Sequence, residues 1–227
     1  MDFREDEFDV FEKGDFMETI RNVEINQLHD FKNHPFKVEV NTELCELMKS
    51  IEKEGVLVPL LVRTNPYGDG YEIISGHRRK EAAVWAGETK VPVVIRELDD
   101  DQAVVAMVDS NLHRENLKPS EKAFAYKMKL DAMKHQGERV DLTSSQVGTK
   151  LRADEILAQQ AGSSRNQIQR YIRLTELIPE LLDMVDEKKI ALNPAYELSF
   201  LKKEEQVDLL DAMDSEQATP SLSQAQR

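Results

Sequence analysis

One stretch, Tyr71–Ala83 (YEIISGHRRKEAA), restricts the possible folds of this chain more than any other. Tyr71, Ile73 and Ile74 read as a short apolar strand, Ser75-Gly76 as a turn, and His77-Arg78-Arg79 as the opening of a helix. Strand, tight turn and helix in that order belong to an α/β unit. A glycine at the turn lets backbone approach a ligand closely. The first turn of the helix offers unpaired N–H groups at the positive end of its dipole. Two adjacent arginines add planar cationic forks suited to phosphate. The stretch therefore reads as an anion pocket for a nucleotide. Read as plain structure, Arg78 and Arg79 are exposed helix residues facing water.

The flanking segments extend the same pattern. Val23–Ile25 reads as a short strand, and 26–41 as an irregular connection. Asn41 or Thr42 caps a helix whose apolar face is Leu44, Leu47, Met48 and Ile51, closed by Gly55. Leu57–Val62 is a strand, and Asn65–Gly70 a turn into its hairpin partner at Tyr71–Ile74. The helix after Gly76 ends at Gly87, and Val91–Ile95 is another strand. Acid at Asp99-Asp100-Asp101 suits the start of a helix running to about Leu112. Pro119 opens a further helix that Gly137 is expected to stop, with a polar loop over 138–149.

Residues 154–174 carry the second signal. Helix, small-residue turn at Gly162 and second helix make a helix-turn-helix arrangement. Ile156, Leu157 and Ala161 face inward on the first helix, and Ile168, Ile172 and Leu174 on the second. Ser163 or Ser164 caps the second helix, whose outer face displays Arg165, Asn166, Gln169, Arg170 and Arg173. Those residue types read base edges in the major groove. The plainer alternative is a helical pair with a solvated polar face. Pro179 and Asn193-Pro194 open further helices, and 203–213 is a short acidic one.

The net charge of −13 at pH 7 argues against a nucleic-acid partner only if charge is spread evenly, and it is not. Residues 1–16 hold seven acidic and two basic side chains, and 175–227 hold twelve and five, whereas Arg165–Arg173 holds three arginines and no acid. Residues 1–19 read as an acidic disordered tail. One cysteine, Cys45, excludes a disulfide framework or a cysteine zinc cluster and reads as a buried thiol. His29 and His34 stand near Asp30 without a matching ligand pair, so no metal centre is expected there. No apolar run is long enough to span a bilayer, and no signal peptide is evident, so a cytoplasmic protein is expected.

Taken in order, the pieces resemble the ParB-like chromosome and plasmid partition proteins over roughly 20–212. The carriers are Gly55–Leu60 (GVLVPL), Tyr71–Ala83, Val91–Ala103 (VPVVIRELDDDQA), Asn111–Ala123 (NLHRENLKPSEKA) and the helix-turn-helix. The resemblance implies an α+β fold. After the tail comes a small mixed α/β ParB/sulfiredoxin-like domain over 20–117. An all-α helix-turn-helix domain follows over 118–213. Residues 214–227 are then a polar linker toward a dimerisation module that these residues do not show.

The resemblance further implies a site for CTP with Mg2+. Its residues are Gly76, His77, Arg78 and Arg79, then Ser110, Asn111 and Arg114, with Asn111 as the metal ligand. It implies a duplex-DNA site made by Ser164, Arg165, Asn166, Gln167, Gln169, Arg170 and Arg173. A homodimer and a ParA-like partner ATPase are implied as well. Three positions depart from the family pattern. His77 and Ser110 stand where glutamates are usual, and Val58 where glutamine is common. Loss of two carboxylates leads us to expect weak CTPase activity or none. Two alternatives remain at this point. One is a sequence-specific regulator of transcription or plasmid replication with no partner ATPase. The other is a nucleotide-dependent enzyme of the ParB/sulfiredoxin fold. Sulfiredoxin itself needs a cysteine in the loop that here reads Ser75-Gly76-His77-Arg78.

Overall fold

A computed structural model of the chain describes residues 19–112, 114, 116–141, 152–216, 219, 220 and 222–225. The acidic tail, but for Thr19, and most of the expected 138–149 loop lie outside the described residues. Contacts divide the chain into two units, one ending at Asn111 and one starting at Leu112.

The first unit is built on a five-stranded mixed sheet. Its strands are β1 (Ile20–Glu24), β2 (Leu28–Asp30), β3 (Leu60–Thr64), β4 (Tyr71–Ser75) and β5 (Lys90–Ile95), in the order β1-β5-β3-β4-β2. β1 runs antiparallel to β5 and β3 antiparallel to β4, whereas β5–β3 and β4–β2 are parallel. The helices are α1 (Thr42–Glu54), α2 (His77–Trp85) and α3 (Asp100–Leu112). Asn41 caps α1, its side-chain oxygen accepting from Leu44 N at 3.0 Å. Gly55 ends that helix at φ +72°. Leu60 and Val62 alternate inward on β3 and meet Leu44 and Ile51 of α1 and Ala82 and Ala83 of α2 in one buried cluster. Beneath the hairpin, Arg63 and Glu72 are register partners joined at 2.6 Å, with side chains 4% and 3% exposed. Arg63 also reaches Asp100 at 2.8 Å, which ties the start of α3 to the sheet.

Some local expectations change. β2 falls inside the segment read as irregular; it is three residues long and only Leu28 is buried, too short for alternation to register. The strand read over Leu57–Val62 begins at Leu60, and Leu57 and Val58 are 71% and 62% exposed. Pro59 has no N–H to give a sheet ladder, and the Val58 and Pro59 carbonyls accept from Arg79 instead. Cys45 is partly buried rather than enclosed.

The second unit is helical: α4 (Pro119–Asp141), α5 (Ala153–Gln160), α6 (Arg165–Arg173), α7 (Pro179–Asp186), α8 (Leu192–Leu198), α9 (Lys203–Glu216) and α10 (Leu222–Ala225). α4 runs through Gly137 to Asp141 instead of stopping there. One glycine inside a helix costs only about 1 kcal/mol, and it does not break a long helix. Pro119 stands at the start of α4, where Asp186 accepts from Ser120 N at 2.9 Å. Leu174, Leu177, Leu181, Val185, Ala195 and Leu198 form one buried cluster, and Tyr126, Leu130, Leu157 and Ile168 another. Gln206, fully buried on α9, accepts from Ile178 N at 2.8 Å and donates to the carbonyls of Leu201 (3.0 Å) and Glu176 (3.2 Å). No helix among the described residues is long and apolar enough to cross a membrane.

Candidate functional site

Gly76 joins β4 to α2 with φ +113° and ψ 16°, a conformation that side chains rarely adopt. A Cβ there would lie 2.7 Å from Leu60 Cγ, and Leu60 is fully buried. Both backbone and packing therefore require glycine at this corner. α2 then opens on His77 with no side-chain cap for its first N–H groups.

The two arginines differ. Arg78 is held on the surface by Glu43 Oε2 at 3.1 Å and Asn41 Oδ1 at 3.3 Å. Its side chain is 26% exposed and that of Glu43 67%, so the pair is screened and readily exchanged. Arg79 turns inward and donates through Nη1 to Val58 O (2.7 Å) and Pro59 O (2.5 Å). Burial draws its pKa below the ordinary guanidinium value. Arg78 is thus the cation available to an incoming anion, and Arg79 staples the loop that carries Val58.

The His77 ring packs against that of His34, tilted by 41° with centroids 3.9 Å apart. Burial, reinforced by His34 and opposed by Asp30, lowers its pKa from 6.5 to about 3, so it is neutral at pH 7. Burial raises the Asp30 pKa, but the Lys80 ammonium at 2.9 Å more than offsets this and holds it low. A neutral imidazole replaces the expected negative charge at this position with none.

Ser110 and Asn111 sit at the end of α3. Ser110 Oγ donates to Met107 O at 2.8 Å, and Asn111 Nδ2 donates to Met107 O at 2.9 Å and Ser110 Oγ at 3.2 Å. Arg114 belongs to the second unit and is partly buried. Among the described residues no group of three or more His, Cys, Asp or Glu side chains converges as metal ligands. Asn111 contributes one amide oxygen, so these side chains alone do not form a magnesium cage.

In the second unit, α5 and α6 pack across Gly162, which has φ +60° and open space around it. Ser164 caps α6, its Oγ accepting from Gln167 N at 3.2 Å. Ile168 is buried beneath, while Arg165, Asn166, Gln169 and Arg170 are exposed and Gln167 and Arg173 half-buried. Arg165 donates to Asp154 on α5 at 2.5 Å. Arg170 donates to Asn193 at 3.1 Å and lies over the Tyr196 ring. Arg173 donates to Ser199 O at 2.9 Å and stacks 4.4 Å from the Phe200 ring centroid. Residue types were readable from the sequence, but these partners on α8 and just beyond it were not. Asn166, Gln169 and Arg165 form the outward part of the face, and Arg170 and Arg173 form a seam along α8.

The chain matches the ParB N-terminal domain over residues 12–112 and the ParB HTH domain over 115–220. It is 35% identical over 173 residues to the chromosome-partitioning protein Spo0J of Thermus thermophilus, covering 76% of this chain and 57% of that protein. A nucleoid occlusion protein of Listeria monocytogenes is 31% identical over 198 residues, covering 87% and 63%. The chain spans about half the length of the curated relatives it matches. The crystal structure of C-terminally truncated ParB from Caulobacter crescentus, complexed to the centromeric parS site, aligns over 91% of this chain and 96% of that one, with TM-score 0.52 and 25% identity. A Pnob8-like ParB-N domain shares the fold at TM-score 0.53 and 19% identity, covering 90% of this chain and 86% of that one. These matches agree with the α/β unit, the helix-turn-helix and their order, and the chain belongs to the ParB family.

Proposed function

We propose that this chain is the nucleotide-binding and site-reading part of a DNA partition protein. The observation that carries the proposal is the α5–α6 pair: a capped helix with a buried underside and an outer face of Arg165, Asn166 and Gln169. Support comes from the relative whose structure is complexed to parS. Asn and Gln read adenine, and Arg reads guanine or phosphate. Ser164 and Gln167 border that face, and Arg170 and Arg173 contact the backbone after leaving, or together with, their partners on the α8 side. A homodimer and a ParA-like ATPase complete the assembly.

Gly76 and the first turn of α2, with Arg78 released from Glu43, take the phosphates of CTP. Arg79 fixes the neighbouring Val58–Pro59 loop. Ser110 and Asn111, at the end of α3, are assigned to the same nucleotide, and Arg114 is assigned to it by its sequence motif alone. Asn111 would be the protein's own ligand to a Mg2+ ion, which would otherwise depend on the nucleotide and water for its oxygen ligands. His77, its pKa lowered to about 3, is too weak a base to activate water, and Ser110 brings no carboxylate to do so. The nucleotide is therefore held without efficient hydrolysis. Calorimetry with the four ribonucleoside triphosphates, with and without a parS duplex, tests this. CTP alone should bind, and phosphate release should stay near background. Equal binding of all four, or rapid release, would overturn the nucleotide part.

A further inference from the structure

We infer that Asp154 is a positioning residue for the duplex-reading face, holding the Arg165 guanidinium in the orientation it uses on DNA. The inference rests on the proposed role of α5–α6. Asp154 stands in the first turn of α5, where the helix dipole favours a carboxylate. Its side chain is only 10% exposed. Oδ2 accepts from Arg165 Nε at 2.5 Å, whereas Arg152 Nε is 3.8 Å from Oδ1, within ion-pair range but beyond hydrogen-bond reach.

Arg165 is the first residue of α6 and its side chain is 43% exposed. Binding through Nε fixes the guanidinium plane. No hydrogen bond from Nη1 or Nη2 to a described residue is observed. Those groups supply the paired donors that meet guanine or phosphate. A long, flexible side chain held this way loses less freedom when it meets the duplex. Arg170 and Arg173 are held from the other side, by Asn193 and Ser199 O, so Arg165 is the one α6 arginine oriented by the first helix of the pair.

Asp154 could instead act only as a negative charge beside a polyanion, and the two roles predict opposite signs. Removing an unfavourable charge strengthens binding to every duplex. Removing a positioning group weakens binding to the specific one. The test uses fluorescence anisotropy on the full chain with a parS duplex and a scrambled duplex of equal length. The variants are Asp154→Asn, Asp154→Glu, Arg165→Ala and the Asp154→Asn/Arg165→Ala double.

Asp154→Asn should lower parS affinity about tenfold and leave the scrambled duplex unchanged or tighter. Asp154→Glu should recover part of the loss. The double variant should bind no more weakly than Arg165→Ala alone. Asp154→Asn binding parS as tightly as wild type, or losses that multiply in the double, would overturn the inference. Should Asp154→Asn fail to fold, arginine side-chain NMR of the wild type decides. A Arg165 Nε–H that exchanges as fast as exposed arginines overturns the pairing, and a protected one supports it. A wild type that does not distinguish the two duplexes overturns the duplex-reading proposal itself, and this inference with it.

Discussion

Replacing Gly76 by alanine should destabilise the first unit by about 2–4 kcal/mol. The backbone contribution comes from φ +113°, where a non-glycine residue costs about 1–3 kcal/mol. The packing contribution comes from the new Cβ at 2.7 Å from Leu60 Cγ. Leu60 is fully buried and cannot step aside, and overpacking of this kind costs roughly 1–3 kcal/mol. Restricting the unfolded chain returns about 0.4–1 kcal/mol. Gly87→Ala is the matched control: φ is +82°, but nothing lies within 4 Å of its Cβ, so only the backbone contribution applies. The assay is urea unfolding followed by Trp85, the chain's single tryptophan, which ends the same helix and so reports the first unit. With a slope of about 2 kcal/mol per M, the midpoint should fall by about 1–2 M for Gly76→Ala, and by clearly less for Gly87→Ala. Equal shifts for the two would refute the packing argument. No shift in either would refute the backbone argument as well.

Gln206→Leu should cost the second unit about 2–4 kcal/mol, because Ile178 N–H and two carbonyls lose their partner in the interior; a calorimetric melt within about 0.5 kcal/mol of wild type would count against this. Neutral His77 adds stability that is complete above its ordinary pKa of 6.5 and is lost as pH falls toward about 3. The Trp85 urea midpoint should therefore drop between pH 7 and pH 5, and less so in His77→Gln; identical slopes would show that His77 is not held neutral. Glu43→Gln should release Arg78 and tighten CTP binding by up to about fivefold, since an exposed ion pair is worth at most about 1 kcal/mol. Weaker binding would mean that Glu43 itself serves the nucleotide.

The features legible in the sequence were those whose causes are local. Asn41 and Ser164 cap as short polar side chains do, Gly76 turns as a glycine after a strand does, and Ile168 follows helical spacing. The features that stayed hidden depend on distant partners. Arg79 reads as a phosphate ligand by type, yet its bonds go to carbonyls 20 and 21 residues earlier. The packing of the His77 ring against His34 joins positions far apart in the sequence, on different elements. Arg170 and Arg173 look free on a helical projection, but α8 and the turn after it bring Asn193, Tyr196, Ser199 and Phe200 against them. The exposed Leu57 and Val58 mimic a strand because hydrophobicity cannot show that Pro59 delays the ladder.

The most direct test of the whole account is the ratio of affinities for parS and scrambled duplexes at fixed salt, measured for wild type and for Asn166→Ala/Gln169→Ala. Wild type should prefer parS by at least about tenfold, and the double variant should lose that preference while keeping its weak, salt-sensitive binding to both. A double variant that discriminates as well as wild type would contradict the assignment of α6 as the reader.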